Sequence, residues 1–327
     1  MTTYAGAILE GFRYLLRNYP EVFILGQGVW SPWYVGSSMK DLDKEFGTDR
    51  VIDTPVSELA TTAAGVGAGL FGMRPIVIHP RMDFFLLASD PVVNQAAKWR
   101  HMLGGQAGSA VTIRAIINRG GEQGAQHSQA LHSWYAHIPG LRVVMPATPR
   151  DARDLLIASV LCDDPVIYID DRWLYDLEET LPDAAPVSLT TQGPQIRREG
   201  DDLTLCASGH SVRLAMEAAE ALAEAGVSAE VVDLRVLHPL DPSAIVTSVE
   251  KTGRLIAIDG SWRTCGFSAE IIASVAERLP FSAWRATPQR ITLPDAPAPT
   301  SRVLEEIYYP GADDIVLTAQ RMLEQSQ

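Results

Sequence analysis

Two residues stand where their types and surroundings permit chemistry, Glu58 and His127. Glu58 lies in RVIDTPVSELATTAAGVGAGLFGMRPIVI, where a β-branched run passes through a proline-containing loop directly into an Ala/Gly-rich helix. Ser57 reads as the N-cap, which puts Glu58 on the first turn, at the carboxyl edge of a sheet where open α/β folds bind ligands. Two readings stay open: a site carboxylate, or an acid that merely complements the helix dipole. His127 lies in INRGGEQGAQHSQALHSWYAHIPGLRVVMP, a Gly-rich polar loop after a strand. An imidazole there titrates near neutrality and exchanges protons in either direction. Spacing alone does not make it catalytic. A metal site from His127, His132 and His137 is disfavoured, because five residues turn a helix by roughly 140° and leave the three on different faces. No nearby carboxylate completes the set, so metal ligands are expected to be none. HSWYAH reads equally as a buried aromatic helix. Ser211, in SGHSV, lacks the GxSxG elbow of a serine hydrolase.

The elements that must position these residues alternate along the chain. EVFILG, RVIDT, RPIVI, SAVTIRAII, LRVVMP and DPVIYID read as strands, with helices at the N-terminus, MKDLDKEFG, the Ala/Gly segment and PRDARDLLIASVL between them. That is the grammar of a parallel sheet covered by helices. The proline-bearing stretch LEETLPDAAPVSLTTQGPQ reads as a linker. A second alternating set follows, from DDLTLCAS through a helix closed by Gly226, SAEVVDLRV, PSAIVTSVEKTG, RLIAID and FSAEIIASVAERL to a final helix ending near Met322. The expectation is an α/β chain of two doubly wound domains, residues 1–185 including the linker and a smaller one over 186–327.

At 327 residues and 46% hydrophobic the chain can bury two cores. A formal charge of −13 repels phosphate backbones and anionic lipid, which argues against nucleic-acid and membrane partners. Cys162, Cys206 and Cys265 form no CxxC pair and read as buried free thiols. The N-terminal residues read as an amphipathic helix instead of a signal peptide, so the expected location is the cytoplasm.

Taken in order, VIDTPVSE, GxRPIV, an aromatic at Phe84, GAQHSQ, HIPGLRVVMP, DDPV, AMEAAEALAEAGVSAEVVDLR, LHPLD and GFSAEI resemble the β subunits of the thiamine diphosphate-dependent 2-oxo acid dehydrogenase E1 family, relatives of transketolase. The resemblance runs from EVFILG to the C-terminus. It implies a transketolase-like pyrimidine-binding domain followed by a transketolase C-terminal-like domain, with thiamine diphosphate as cofactor. Glu58 would hydrogen-bond the aminopyrimidine ring, Phe84 would pack on its face, and His127 would face substrate. No GDG with a distal NN, the superfamily's magnesium and diphosphate pattern, occurs in the sequence. The resemblance therefore implies an α-type partner that holds most of the magnesium, in an α2β2 assembly where the second domain pairs β with β.

Four segments depart from the family. LGQGV places Gln27 where an acid is common, and an amide relays hydrogen bonds without titrating, so coupling between the two active sites is in doubt. IHPRMD brings His79 and Arg81 to the expected substrate side, either as packing or as groups that grip a phosphorylated donor. Pro91 replaces a frequent glutamine, and GGEQGAQHSQ mixes transketolase-like and dehydrogenase-like patterns. LCDDP lies where some relatives hold potassium, with Cys162 at a position where an acid is frequent.

The resemblance implies an enzyme subunit, active with its α partner, that cleaves beside the carbonyl of a donor such as pyruvate and passes the acyl or two-carbon unit to a lipoyl or other carrier thiol. One alternative is a hybrid that moves a glycolyl unit from a ketose phosphate to a carrier protein. Another is a non-catalytic β-like scaffold, against which Glu58, Phe84 and His127 stand together.

Overall fold

A computed structural model describes residues 1–324; residues 325–327, at the end of the expected second domain, lie outside the described residues. The fold is α/β, and the chain forms two compact units. The first comprises 1–119, 134–192 and 237–239, and the second 120–133, 193–236 and 240–327.

The first unit is built on a seven-stranded sheet in the order Val236–His238, Arg142–Val144, Val166–Asp171, Thr112–Ile117, Arg74–His79, Val22–Gly26, Val51–Asp53. The pairings from Arg142–Val144 through to Val51–Asp53 are parallel. All six residues of Thr112–Ile117 and of Val166–Asp171 are buried, as strands covered on both faces require. Helix Tyr4–Asn18 buries Tyr4, Ala7, Ile8, Gly11, Phe12, Leu15 and Leu16, a stripe at helical spacing, and packs against helix Pro149–Leu161. Each begins on a threonine cap, Thr3 accepting from Gly6 N at 3.0 Å and Thr148 from Asp151 N at 3.1 Å.

Part of the stretch read as linker is tied back into this unit. Glu178–Glu179 pairs antiparallel with Thr2–Thr3, and Arg153 Nη1 donates to Pro182 O at 2.6 Å. Prolines and polar residues signal irregular backbone, but they do not reveal where its carbonyls find donors.

The second unit carries a five-stranded sheet in the order Gln289–Leu293, Leu255–Trp262, Leu203–Ala207, Ala229–Asp233, Gln195–Arg198. The first three pairings are parallel and the last is antiparallel. The two edge strands were not legible in the sequence, because edge positions are half solvated and lose the apolar run; Gln195 and Ile196 are exposed. Helix His210–Glu224 ends at Gly226, φ +79°, and helix Ser243–Thr252 at Gly253, φ +71°, left-handed positions that release each chain end toward the next strand.

The cysteine expectation needs correction. Cys206 is buried in its strand, Cys162 is half-buried, and Cys265 is exposed at φ +55° in the turn after Leu255–Trp262.

Candidate functional site

Glu58 is the first residue of helix Glu58–Leu70, five residues past the carboxyl end of strand Val51–Asp53. Ser57 occupies the cap position, but its hydroxyl makes no cap bond, contrary to the sequence reading. Its carbonyl instead accepts from Thr61 N at 2.9 Å, so the helix starts without a side-chain lid over its first N–H groups. Glu58 is only 8% exposed, yet its carboxylate makes no hydrogen bond or ion pair with any described residue. The small residues behind it have a geometric cause. A Cβ at Gly65 would lie 2.5 Å from Val77 Cγ2, and one at Gly69 would lie 2.5 Å from Ser109 Oγ, so the helix sits hard against the sheet. The other side is open: Ala60 and Ala64 are exposed and Gly67 has nothing within 4 Å.

Strand Arg74–His79 delivers His79, Arg81 and Phe84. Of the two adjacent phenylalanines, Phe85 is the core residue, fully buried and 4.5 Å from the Tyr135 ring; Phe84 is half-buried. Of the two readings of His79, packing or a substrate-side group, its surroundings here are those of packing. It is 3% exposed, its Nε2 lies 3.0 Å from Thr62 Oγ1, and its ring packs 4.7 Å from Phe85. Burial pulls its pKa down to about 3, so it is a neutral packing residue. The alternation of the strand turns it inward, which the sequence motif does not disclose.

Arg81 is half-buried and donates from Nη1 to Pro80 O at 2.9 Å. Sequence reading missed its neighbour Arg172, which follows strand Val166–Asp171 and donates from Nη2 to Tyr34 O. Tyr34 in turn accepts a bond on its hydroxyl from Gln27 Nε2 at 3.1 Å. The substituted Gln27 is thus a donor that fastens the loop over this edge. Gly28, at φ +68°, lies under the Tyr34 ring, where any Cβ would meet the ring at 2.1 Å.

The 120–133 loop that carries His127 belongs to the second unit, and His127 is half-buried there. The loop is anchored at both ends. Glu122 N donates to both carboxylate oxygens of Glu305 at 3.0 Å, and His132 Nε2 lies 3.0 Å from Asp259 Oδ1. Asp259 also accepts from Ser261 Oγ at 2.8 Å and from Ser268 N at 2.9 Å. Burial alone would raise its pKa, but His132 and these donors outweigh it and hold the carboxyl down at about 2.

At LCDDP, the carbonyls of Val160 and Cys162 each accept from Arg74 Nη1 at 3.0 Å, and Asp163 pairs with Arg74 Nη2 at 2.6 Å. Arg74 thus pairs one of the loop's two acids, and Asp164 pairs with Arg100 and Arg142. Among the described residues no group of three His, Cys, Asp or Glu side chains is arranged to hold a metal, and no helix is long and apolar enough to cross a membrane.

The family described as "Transketolase, pyrimidine binding domain" matches residues 1–176, and "Transketolase, C-terminal domain" matches residues 194–315. The β subunit of acetoin:2,6-dichlorophenolindophenol oxidoreductase from Cupriavidus necator is 41% identical over 332 aligned residues, covering 97% of this chain and 96% of that protein. Its Bacillus subtilis counterpart is 39% identical over 329, covering 97% and 96%. The pyruvate dehydrogenase E1 component subunit β of Bacillus subtilis is 35% identical over 319, covering 97% of each. Among solved structures, a split-gene transketolase described as an inactive β4 tetramer superposes with a TM-score of 0.81 at 19% identity, covering 100% of both chains, a likeness of fold.

Proposed function

The chain belongs to the β subunits of the thiamine diphosphate-dependent 2-oxo acid dehydrogenase E1 family, within the transketolase superfamily, and from that membership we propose that it is the catalytic β chain of an α2β2 enzyme that cleaves the bond beside a donor carbonyl. The observation that carries this reading is Glu58: a residue only 8% exposed, at the start of a helix on the sheet's carboxyl edge, whose carboxylate makes no hydrogen bond or ion pair with any described residue. Its oxygens are not among the buried unpaired atoms and so stay open to a ligand, and an aminopyrimidine offers them a ring nitrogen. Phe84, half-buried beside the core residue Phe85, supplies an apolar face for the same ring.

Thiamine diphosphate, when bound, supplies a carbon nucleophile for the donor carbonyl and accepts the electrons of the broken bond. Glu58 holds the ring and the proton shared with its nitrogen. His127, on its anchored loop, exchanges protons with the substrate oxygen. Magnesium and the diphosphate fall to the α-type chain. Exposed apolar side chains support subunit contacts on the first unit: Val56 is 76% and Phe71 90% exposed, with Leu59 and Leu87 also open. The acceptor is a lipoyl or other carrier thiol. Free cysteines support a cytoplasmic setting.

Pyruvate-type 2-oxo acids remain the leading donor class, and the acetoin relatives add hydroxyketones to it. The test is reconstitution with an α-type chain and magnesium. Glu58→Ala should abolish turnover while the assembled complex retains its size in sedimentation. Full activity in that variant would end the proposal.

A further inference from the structure

The loop that carries His127 has a backbone that does not hold itself. Gly120 at φ +76°, Gly121 at φ +64°, Glu122 at φ +64° and Gly124 at φ +69° are all left-handed, and Glu122, which carries a side chain, is strained there. Such a conformation persists only where surrounding groups over-determine it. The second unit supplies those groups. Glu122 N donates to both carboxylate oxygens of Glu305, 183 positions away, at 3.0 Å. Gly124 lies so close to Thr300 that a Cβ would stand 2.9 Å from Thr300 Oγ1, and its carbonyl accepts from His127 N at 3.5 Å. Glu305 therefore reaches the backbone of His127 through one short turn.

Glu305 is 6% exposed, yet among the described residues no cation pairs with it and the only partner of its carboxylate is that one amide. A carboxylate largely removed from water without a cation is a net cost to folding, and an apolar side chain of similar volume would cost less. The group is therefore kept for what it does to the loop. Its helix, Arg302–Tyr308, is fixed in turn: Trp262 Nε1 donates to Ala296 O at 2.8 Å and to Tyr308 Oη at 3.1 Å, and Tyr308 Oη donates to Ala296 O at 2.6 Å. Trp262 ends the strand Leu255–Trp262, on which Asp259 holds His132 at the far end of the loop. Both ends of the loop are thus referred to a single strand.

We infer that Glu305 is a positioning residue for His127: through the Glu122 amide it sets the backbone of the 120–127 turn, and with it the reach of the imidazole toward substrate. The part played by His127 rests on the reading of this chain as a catalytic β subunit; the hold of Glu305 on the loop does not. The second unit, expected to pair β with β, thereby takes a share in the reaction.

Glu305→Met removes both acceptors at nearly constant volume, and Glu305→Gln keeps one. In the full-length chain, amide hydrogen exchange over residues 120–127 should run at least about tenfold faster in Glu305→Met, with Glu305→Gln between it and the wild type. Exchange in strand Leu255–Trp262 should not change, and Glu305→Met should melt no lower than the wild type, because a buried charge without a cation is gone. Glu306→Gln, on the same helix but exposed and paired with Arg302, should match the wild type throughout. In enzyme reconstituted with the α-type chain, thiamine diphosphate and magnesium, Glu305→Met should lower kcat at least about tenfold. On the residual activity of His127→Gln the same substitution should cost less than about twofold more, since a histidine that is absent cannot be misplaced. Wild-type exchange over 120–127 in Glu305→Met would overturn the inference. So would faster exchange throughout the second unit with a lower melting temperature, the mark of a residue that only supports the fold, and so would losses of kcat that multiply in the double variant. Full activity of His127→Gln would instead end the catalytic reading of that histidine, and the exchange result alone would then decide whether Glu305 holds the loop.

Discussion

His132 Nε2 lies 3.0 Å from Asp259 Oδ1, and both side chains are buried. This contact ties the end of the His127 loop to the strand Leu255–Trp262 and to the start of helix Phe267–Ala276, whose Ser268 N–H donates to the same carboxylate. The His132 imidazole, in a segment read as a buried aromatic helix, is thereby a structural anchor.

The carboxyl of Asp259 is held at about 2, against 3.8 in the unfolded chain. A carboxylate with a depressed folded pKa contributes stability that is complete above about pH 4 and is lost as pH falls toward 2. The shift corresponds to about 2 kcal/mol. Urea unfolding of wild type and Asp259→Asn at pH 7, 4 and 2.5 should show the largest gap at pH 7 and a clearly smaller one at pH 2.5. A gap that stays constant with pH would show that the carboxylate's charge contributes nothing.

His79 behaves in the matching way from the other side. Burial lowers its pKa to about 3, while the unfolded histidine protonates near 6.5. Stability from this site is therefore full above about pH 6.5 and declines progressively as pH falls toward 3. Its ring signals in NMR should report a neutral imidazole from pH 8 to pH 5. His79→Gln should flatten the pH dependence of stability over that range, and a ring titrating near 6.5 would contradict the burial.

Helix Glu58–Leu70 offers a paired test at two glycines two residues apart. Gly65→Ala would place a Cβ 2.5 Å from Val77 Cγ2 and should cost about 1–3 kcal/mol, because overpacking forces helix and sheet apart. Gly67→Ala meets nothing within 4 Å in this chain and should stabilise it by about 0.5–1 kcal/mol through helix propensity. Thermal unfolding of the isolated chain separates the two, and similar shifts in both would deny the asymmetric packing.

Arg74 donates to Val160 O, Cys162 O and Asp163, so the loop needs no added cation. The melting temperature should agree within about 1 °C in potassium and sodium chloride of equal ionic strength. Arg74→Ala should cost about 1–3 kcal/mol, the range for carbonyls that lose charge-assisted bonds. A marked stabilisation by potassium over sodium would show that the ion, not the guanidinium, organises LCDDP.

The residues themselves determined the alternation of strands and helices, the place of Glu58 at the start of an Ala/Gly helix, and the family to which the chain belongs. These follow from local periodicity, from turn chemistry and from motif order, all of which are properties of short stretches. Tertiary structure alone decided which of the candidates has partners. His79 and Arg81 are two residues apart in one motif, yet one is sealed against Phe85 and Thr62 and the other faces the edge with an unmatched charge. Arg172 lies 91 positions from Arg81 in sequence, and the two stand at one edge only because their strands, on either side of Thr112–Ile117, run parallel. The spacing of His132 already spoke against a metal ligand, but only the fold supplies its partner, Asp259, 127 residues away. Burial and ion pairing are set by contacts between distant segments, and a sequence read locally carries the types of the groups without their partners.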